Sequence, residues 1–292
     1  MDFTLYWFMF PVAICVATCA MMSGIGGAAL FTPIFVLIFP LLGPEYVLES
    51  TLAAIAAALI TQTFGFLSGF IGYYRRGLID YAIARRFIVI AIPITLLGVW
   101  VATAVHESVL LASYSVLMAL LAISLWRRQE LLGMPGRDPV TDQEKILVDS
   151  RGHEYRYPDP KLKVGNVILT GAGAYLTGMV SVGIGEVTIS QLTHKGIPIA
   201  VAAATSVMIV SVTVLFASTT HAAQLIQGGG WTAVPWDLLV WDIPGVLIGG
   251  QIGPRLQGLV AQKTMQRSIA VLFIVLAVAM LAVAGQRVGL LA

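Results

Sequence analysis

Charged residues are scarce in this sequence. Asp, Glu, Lys and Arg make up 11% of its 292 residues, whereas 58% are hydrophobic, and a soluble globular domain carries about 25% charged residues. Residues 3–44 contain no charged side chain, and a membrane-spanning helix needs roughly 20 apolar residues. Because the chain has too few polar residues for a water-facing surface, we expect an all-α membrane protein.

Features on which several other classes of protein depend are also missing. A formal net charge of +2 without a basic patch argues against a nucleic-acid partner. The two cysteines, Cys15 and Cys19, have no His or carboxylate beside them, which favours small core residues over a metal or redox site. The N-terminus has no basic region, so we interpret it as a first membrane segment rather than a cleaved leader. No Ser-His-Asp set, metal cluster or nucleotide motif is apparent, so neither enzyme activity nor a cofactor is predicted.

Hydropathy divides the chain into ten apolar segments. Two of them, 28–40 and 187–194, are too short to span a membrane and are interpreted as half-helices. The segments are 5–22, 28–40, 46–72, 86–105, 109–126, 164–182, 187–194, 198–224, 236–254 and 265–285.

A charged connector separates two membrane regions. Fifteen of the residues in 127–163 are charged, which predicts an N-terminal membrane repeat over 1–126, a cytoplasmic connector and a C-terminal membrane repeat over 164–292. Two β-prone runs flank Gly152 within the connector. They are consistent with a small hairpin at the membrane surface or with a disordered linker.

The two membrane regions share three landmarks in the same order, which indicates an internal repeat. With five segments in each half, the second half would be inverted relative to the first, as in many transporters that bind substrate at the repeat interface. The paired landmarks are Ser23-Gly24-Ile25-Gly26 with Val182-Gly183-Ile184-Gly185, Ser50-Thr51 with Thr205-Ser206, and Pro93 and Gly98 with Pro244 and Gly249.

The distribution of Lys and Arg predicts the orientation. The loops at 73–86, 127–163 and 255–267 are rich in basic residues and are placed inside, whereas 225–235 has none and is placed outside. This placement requires a helix hairpin bent at Gly183–Gly185 and, by symmetry, another at Gly24–Gly27, with both termini outside. The alternative is a topology of eight unbroken helices.

The glycine bends are the candidate binding site. Interrupted backbone at membrane depth is tolerated only where it is buried in protein or lines a cavity, and the free N–H groups at the start of a half-helix attract anions. The alternative for the glycines is close helix packing, and for each hydroxyl it is a bond to its own helix. The candidate substrate-binding residues are Ser23, Gly24, Gly26, Gly27, Ser50, Thr51, Gly183, Gly185, Thr188, Gln191, Thr205 and Ser206.

A few ionisable residues lie near these bends. Glu49 and Glu186 are candidates for proton coupling, although each also suits the start of a helix, where Glu186 would compete with an anion. Asp242 is a third acid near membrane depth. Arg255 is either an anion contact at the inner mouth or a positive-inside anchor, and His221 is a weaker candidate for sensing pH.

The chain resembles the sulfite exporter TauE/SafE family over nearly its whole length apart from 127–163. The resemblance lies in Ser23-Gly-Ile-Gly-Gly-Ala28 with Pro33, Glu49-Ser-Thr51, Arg76-Gly77-Leu-Ile-Asp80, Gly183-Ile-Gly185 and Pro244-Gly245 followed by Gly249-Gly250-Gln-Ile-Gly253. It implies a carrier of sulfite, sulfoacetate or other organosulfonates. The sequence departs from the family in a shorter first glycine run and in Glu186, where the family commonly has Gly.

These features together predict a secondary carrier that exports sulfur-containing anions across a bacterial inner membrane by alternating access. An inside-negative potential drives anions outward by about 2.3 kcal/mol per charge per 100 mV. The alternatives are an anion channel, a proton-coupled uptake carrier for organic anions, or a membrane-embedded enzyme or assembly factor. The expected partners are the anion, the lipid bilayer and a second copy of the chain in a homodimer.

Overall fold

The computed structural model describes residues 2–23, 28–131, 144–159, 163–256 and 262–287, and these residues form a helical bundle with a small β-hairpin. Every apolar segment predicted from hydropathy coincides with a helix, so the all-α architecture is confirmed. The helices are α1 (Met9–Ser23), α2 (Ala28–Pro33) with a π-helical continuation (Ile34–Ile38), α3 (Phe39–Leu42), α4 (Thr51–Arg75), α5 (Tyr81–Ala104), α6 (Glu107–Leu131), α7 (Val164–Val180), α8 (Ile184–His194), α9 (Ile199–Gly229), α10 (Trp236–Leu256) and α11 (Gln262–Arg287).

Several helices have the length and surface of membrane spans. Four of them, α4, α5, α9 and the 267–286 part of α11, are long and apolar enough to cross a bilayer. Shorter apolar helices lie at 9–22, 29–42, 107–123 and 164–180. Large apolar side chains such as Trp100 and Val278 are exposed on the outside of the bundle, which suits a surface in contact with lipid.

Polar caps fix where two of the long helices begin. The Ser50 hydroxyl accepts a hydrogen bond from the Ala53 amide at 3.0 Å at the start of α4. At the start of α5, the Asp80 carboxylate accepts one from the Ile83 amide, also at 3.0 Å. Both side chains satisfy N–H groups that have no partner within their own helix.

Glycines allow two pairs of helices to pack closely. A Cβ atom on Gly98 of α5 would overlap the carbonyl oxygen of Tyr175 on α7. A Cβ atom on Gly249 of α10 would lie 2.5 Å from the carbonyl oxygen of Ile14 on α1. Gly98 and Gly249 are one of the landmark pairs predicted from the sequence, and each lies against the first helix of the opposite half.

The helix contacts keep the same pattern when the two halves are exchanged. α1 packs on α10 while its counterpart α7 packs on α5; α10 also packs on α4 while α5 packs on α9. α4 contacts its own counterpart α9, and α6 contacts its own counterpart α11. The two membrane regions are therefore interlocked, since each contributes its first helix to the other.

The connector contains an ordered hairpin, which was one of its two predicted alternatives. Strands β1 (Glu144–Val148) and β2 (Glu154–Pro158) pair antiparallel. The Asp80 carboxylate accepts hydrogen bonds from the Tyr157 hydroxyl at 3.0 Å and the Lys145 ammonium at 3.2 Å. The Ser150 amide donates to the carbonyl oxygen of Arg76 at 3.0 Å. These bonds attach the hairpin to the turn between α4 and α5.

The end of the bundle that carries the β-hairpin, which we call the hairpin end, also carries the α4–α5 turn, the last turn of α10 and the α8–α9 connection. The α4–α5 turn binds the hairpin directly, and the Arg76 guanidinium of this turn donates to the carbonyl oxygen of Pro254 at 2.6 Å near the end of α10. A Cβ atom on Gly196, between α8 and α9, would lie 3.9 Å from Pro158. The chain therefore leaves the hairpin end in α7 and returns to it in α8.

The opposite end of the bundle carries the first residues of the chain and the α9–α10 connection. The Trp241 indole, in the second turn of α10, donates to the carbonyl oxygen of Phe3 at 2.5 Å. α9 has 31 residues, which gives it a length of about 46 Å. Since α9 starts beside Gly196, its last residues are carried far from the hairpin end.

Candidate functional site

The second half contains a broken helix where its glycines predict one. α7 ends at Val180 and α8 begins at Ile184, and the residues between them include Ser181 with φ 68° and Gly183 with φ 142°. A Cβ atom on Gly183 would lie 2.6 Å from the carbonyl oxygen of Gly173. Gly183 is thus required both by its backbone conformation and by the close approach of α7.

The first half has its corresponding boundary between α1 and α2. α1 ends at Ser23 and α2 begins at Ala28. The predicted site residues Gly24, Gly26 and Gly27 lie outside the described residues, as does the side chain of Ser23. The position of this part of the site is therefore inferred from the described residues of α2 that follow it.

Side chains connect α2 of the first half to the break in the second. The hydroxyls of Thr32 and Ser181 are 2.9 Å apart, and both side chains are buried. The Tyr114 hydroxyl on α6 donates to the carbonyl oxygen of Ala29 in α2 at 3.0 Å. The start of α2 and the break between α7 and α8 consequently lie side by side in the interior.

A hydroxyl cluster lies one turn into α8. The hydroxyls of Thr188 and Ser206 are 2.7 Å apart, and Ser206 is also 3.2 Å from the carbonyl oxygen of Gly185. Thr188 donates back to the carbonyl oxygen of Ile184 at 2.8 Å. The structure thus brings together three of the predicted binding residues, Gly185, Thr188 and Ser206, beside the break.

Two amide groups of the break are bound by the protein itself. The Gly183 amide donates to the Glu186 carboxylate at 3.1 Å, and the Ile184 amide donates to the Thr177 hydroxyl at 2.7 Å. Glu186 is 8% exposed. The first of these amides, expected from the sequence to face an anion, therefore already holds an anionic group, so an incoming anion would meet the negative charge of Glu186.

Four other predicted residues make contacts away from the break. Ser50 caps α4, and the Thr51 amide donates to the Glu107 carboxylate at 3.0 Å. The Gln191 amide group donates to the Thr170 hydroxyl at 3.1 Å, and the Thr205 hydroxyl accepts from the Asp80 amide at 3.0 Å. Ser50-Thr51 and Thr205-Ser206 also differ in position, because the first pair begins a helix and the second lies in the second turn of one.

The ionisable candidates are distributed through the bundle. Glu49 is exposed just before α4, whereas Glu186 is buried at the break. Arg255 lies in the last turn of α10, at the hairpin end. Asp242 and His221 are fully buried, and His221 is 2.8 Å from the carbonyl oxygen of Gly178 through its Nε2 atom.

Sequence analysis missed two contributors to the site. Thr177 caps the Ile184 amide from the preceding helix, and Tyr114 donates to the carbonyl oxygen of Ala29 in α2. A hydroxyl four residues before the break was a usable signal for Thr177. Tyr114 is contributed by α6, which is distant in sequence, so only the tertiary structure reveals its role.

The apolar helices, the interior break and the exposed apolar surface define a multi-pass membrane protein. A model of the sulfite exporter TauE/SafE family matches residues 9–280, and the chain belongs to that family. The family is one of membrane transporters of sulfur anions rather than of enzymes, in agreement with the resemblance seen in the glycine motifs. Comparisons with curated proteins and with solved structures found no match.

Proposed function

We propose that the protein is a secondary carrier that exports sulfite or an organosulfonate such as sulfoacetate across the bacterial inner membrane by alternating access. The observation that carries this proposal is the contact between Thr32 and Ser181 at 2.9 Å, which joins the α2 segment of one half to the break in the other. Backbone and hydroxyl donors from both halves would then surround one anion. Movement of one half against the other would change the side from which that anion is reached.

We further propose that the halves are inverted repeats. α5 starts at the hairpin end, because Asp80 binds the hairpin there, and α10 ends there beside Arg76. These two helices are counterparts in the repeat, so their opposite directions support inversion. Described basic residues from each of the three Lys- and Arg-rich loops lie at the hairpin end, namely Arg76, Lys145 and Arg255, which supports a cytoplasmic location for it.

The membrane potential supports the direction of transport. An inside-negative potential drives each negative charge outward by about 2.3 kcal/mol per 100 mV. A dianion gains about twice that amount, so export of sulfite needs no further energy source. Uptake of the same anion would need a coupled cation.

Counterflow tests the carrier directly. We expect purified protein in liposomes loaded with unlabelled sulfite to take up labelled sulfite in a saturable way, because a carrier exchanges substrate across the membrane. A channel would instead give electrical current without counterflow, and that result would contradict the proposal.

Two hydroxyl substitutions test the site. Thr188→Val and Ser206→Ala remove the donors of the hydroxyl cluster while keeping similar volumes, and we expect each to raise the half-saturating sulfite concentration about tenfold, corresponding to ~1.4 kcal/mol. Thr219→Val is the matched control, since Thr219 is an exposed residue of α9 whose hydroxyl bonds carbonyl oxygens of its own helix in the described contacts. Unchanged affinity in both site variants would place the anion elsewhere.

A further inference from the structure

Asp242 is a buried acid that the proposed anion site does not use. Its side chain is 0% exposed, and its Oδ2 atom accepts one hydrogen bond, from the Thr61 hydroxyl at 3.2 Å. The Oδ1 atom has no hydrogen-bond partner among the described residues. Thr61 lies near the middle of α4, so the pair lies deep in the bundle.

Among the described residues, no charged group on the helices packed against Asp242 forms an ion pair with it. α10 packs along α1 and α4, and the ionisable side chains of α1 are Cys15 and Cys19. α4 carries Tyr73, Tyr74 and Arg75 near its end, and α10 carries Asp237 in its first turn and Arg255 in its last. Arg255 is 13 residues beyond Asp242, which corresponds to about 20 Å along the helix.

The fold itself does not require an acid at this position. Pro244 of α10 and Pro93 of α5 are paired landmarks of the internal repeat, and two residues before them stand Asp242 and Ala91. Ala91 is also 0% exposed. A small apolar side chain therefore fills the equivalent place in one half, while the other half keeps a carboxyl group that is costly to bury in its ionised form.

We propose that Asp242 is the proton-binding residue of the carrier, taking up one proton from one side of the membrane and releasing it to the other in each transport cycle. In the occluded conformation the carboxyl group is neutral and bonded to Thr61. When the surrounding helices open to water, the carboxylate becomes hydrated and the proton leaves. The single hydrogen bond that the carboxyl group makes to the described residues, from the Thr61 hydroxyl, leaves its other oxygen available to carry a proton.

This inference depends on the proposed transport function, and the test separates the two. Sulfite transport is measured in proteoliposomes in two modes, exchange at equal pH on both sides and net flux driven by an imposed pH gradient. We expect the wild type to show both, with the sign of the gradient effect revealing symport or antiport. If the wild type fails to exchange sulfite, the proposed substrate is wrong, irrespective of Asp242.

Asp242→Asn is the decisive variant, because asparagine keeps the shape but binds no proton. We expect it to retain exchange at equal pH and to lose the response to the pH gradient. Asp237→Asn, an acid-to-amide change in the same helix, is the matched control and should keep both modes. A pH response in Asp242→Asn equal to that of the wild type would overturn the proposal, and so would a wild type driven by a sodium gradient in place of the pH gradient.

Thr61→Val keeps the proposal testable if Asp242→Asn does not fold. The Thr61 hydroxyl stabilises the ionised carboxylate, so its removal should make the proton harder to release. We expect the midpoint of the pH dependence of gradient-driven flux to move to higher pH, with exchange at saturating sulfite unchanged. A midpoint that does not move would contradict proton binding at Asp242.

Discussion

At the residue scale, Glu186 has the largest consequence for an anion at the break. Its carboxylate accepts from the Gly183 amide at the start of α8, in the same short helix that carries Thr188 of the hydroxyl cluster. An anionic ligand that approaches the same helix start is repelled by this charge, whereas the helix dipole attracts both anions equally. Binding of substrate therefore requires Glu186 to move aside or to become neutral.

Glu186→Gln should consequently tighten the binding of sulfite. Glutamine keeps an oxygen that can accept from the Gly183 amide but carries no charge, so the cap persists without the repulsion. We expect the dissociation constant, measured by calorimetry on purified protein, to fall about tenfold, or ~1.4 kcal/mol. Glu154→Gln, an exposed acid of the hairpin, is the control. Weaker binding in Glu186→Gln would mean that the carboxylate assists the anion rather than excluding it.

Single residues also show what the sequence could reveal. Gly183 was identifiable because interrupted backbone in an apolar stretch implies a glycine at a special conformation, and its φ of 142° agrees with this. Substrate binding by Thr205 stays a prediction, and the hydrogen bond that its hydroxyl accepts from the Asp80 amide was not foreseen. No local pattern indicates this bond, because the two residues lie 125 positions apart in sequence.

At the element scale, the β-hairpin is attached to the first half of the bundle through few bonds. The Asp80 carboxylate caps α5 and also accepts from Tyr157 and Lys145, while Asp159 pairs with Arg86 and Lys145. Burial and the nearby Asp80 charge raise the pKa of Tyr157. Burial opposes ionisation of Asp159, but hydrogen bonds from Arg86 and Lys145 outweigh it, so the pKa of Asp159 is lowered.

The signs of these two shifts define a pH window for hairpin docking. Because the pKa of Asp159 is lowered on folding, this residue stabilises the folded state at pH values above its unfolded pKa of about 4. That stabilisation is lost as the pH falls through the folded pKa. Because the pKa of Tyr157 is raised on folding, this residue stabilises the folded state at pH values below its unfolded pKa of about 10. That stabilisation is lost as the pH rises through the folded pKa. Docking should therefore be insensitive to pH across the neutral range.

Asp80→Asn tests this attachment at neutral pH. Asparagine caps helices as well as aspartate does, so α5 should persist, but the charge that pairs with Lys145 is lost. We expect amide hydrogens of β1 and β2 to exchange faster by about tenfold while those of α5 are unchanged. Glu154→Gln is again the control. Equal protection of the hairpin in Asp80→Asn would show that packing around Tyr157 is sufficient to hold it.

At the scale of the whole molecule, the order of elements was predictable and their interlocking was not. Hydropathy located the described helices as apolar runs, both the long ones of about 20 residues and the short ones beside the glycine bends, and the Gly98 and Gly249 landmarks indicated a repeat. The packing of Gly98 on Tyr175 and of Gly249 on Ile14 crosses between halves. Such contacts depend on tertiary arrangement, which periodicity within one segment does not encode.

The proposed inverted topology gives the last prediction, since it places the α9–α10 connection outside and the hairpin inside. In a variant with Cys15→Ala and Cys19→Ala, single cysteines are introduced by Gly228→Cys and His153→Cys at exposed positions. A membrane-impermeant maleimide should label Gly228→Cys in intact cells. It should label His153→Cys only after the cells are permeabilised. An eight-helix topology with an unbroken α7–α8 crossing puts both positions on the same side. Labelling of neither site in intact cells would therefore refute inversion, together with a carrier mechanism based on opposed halves.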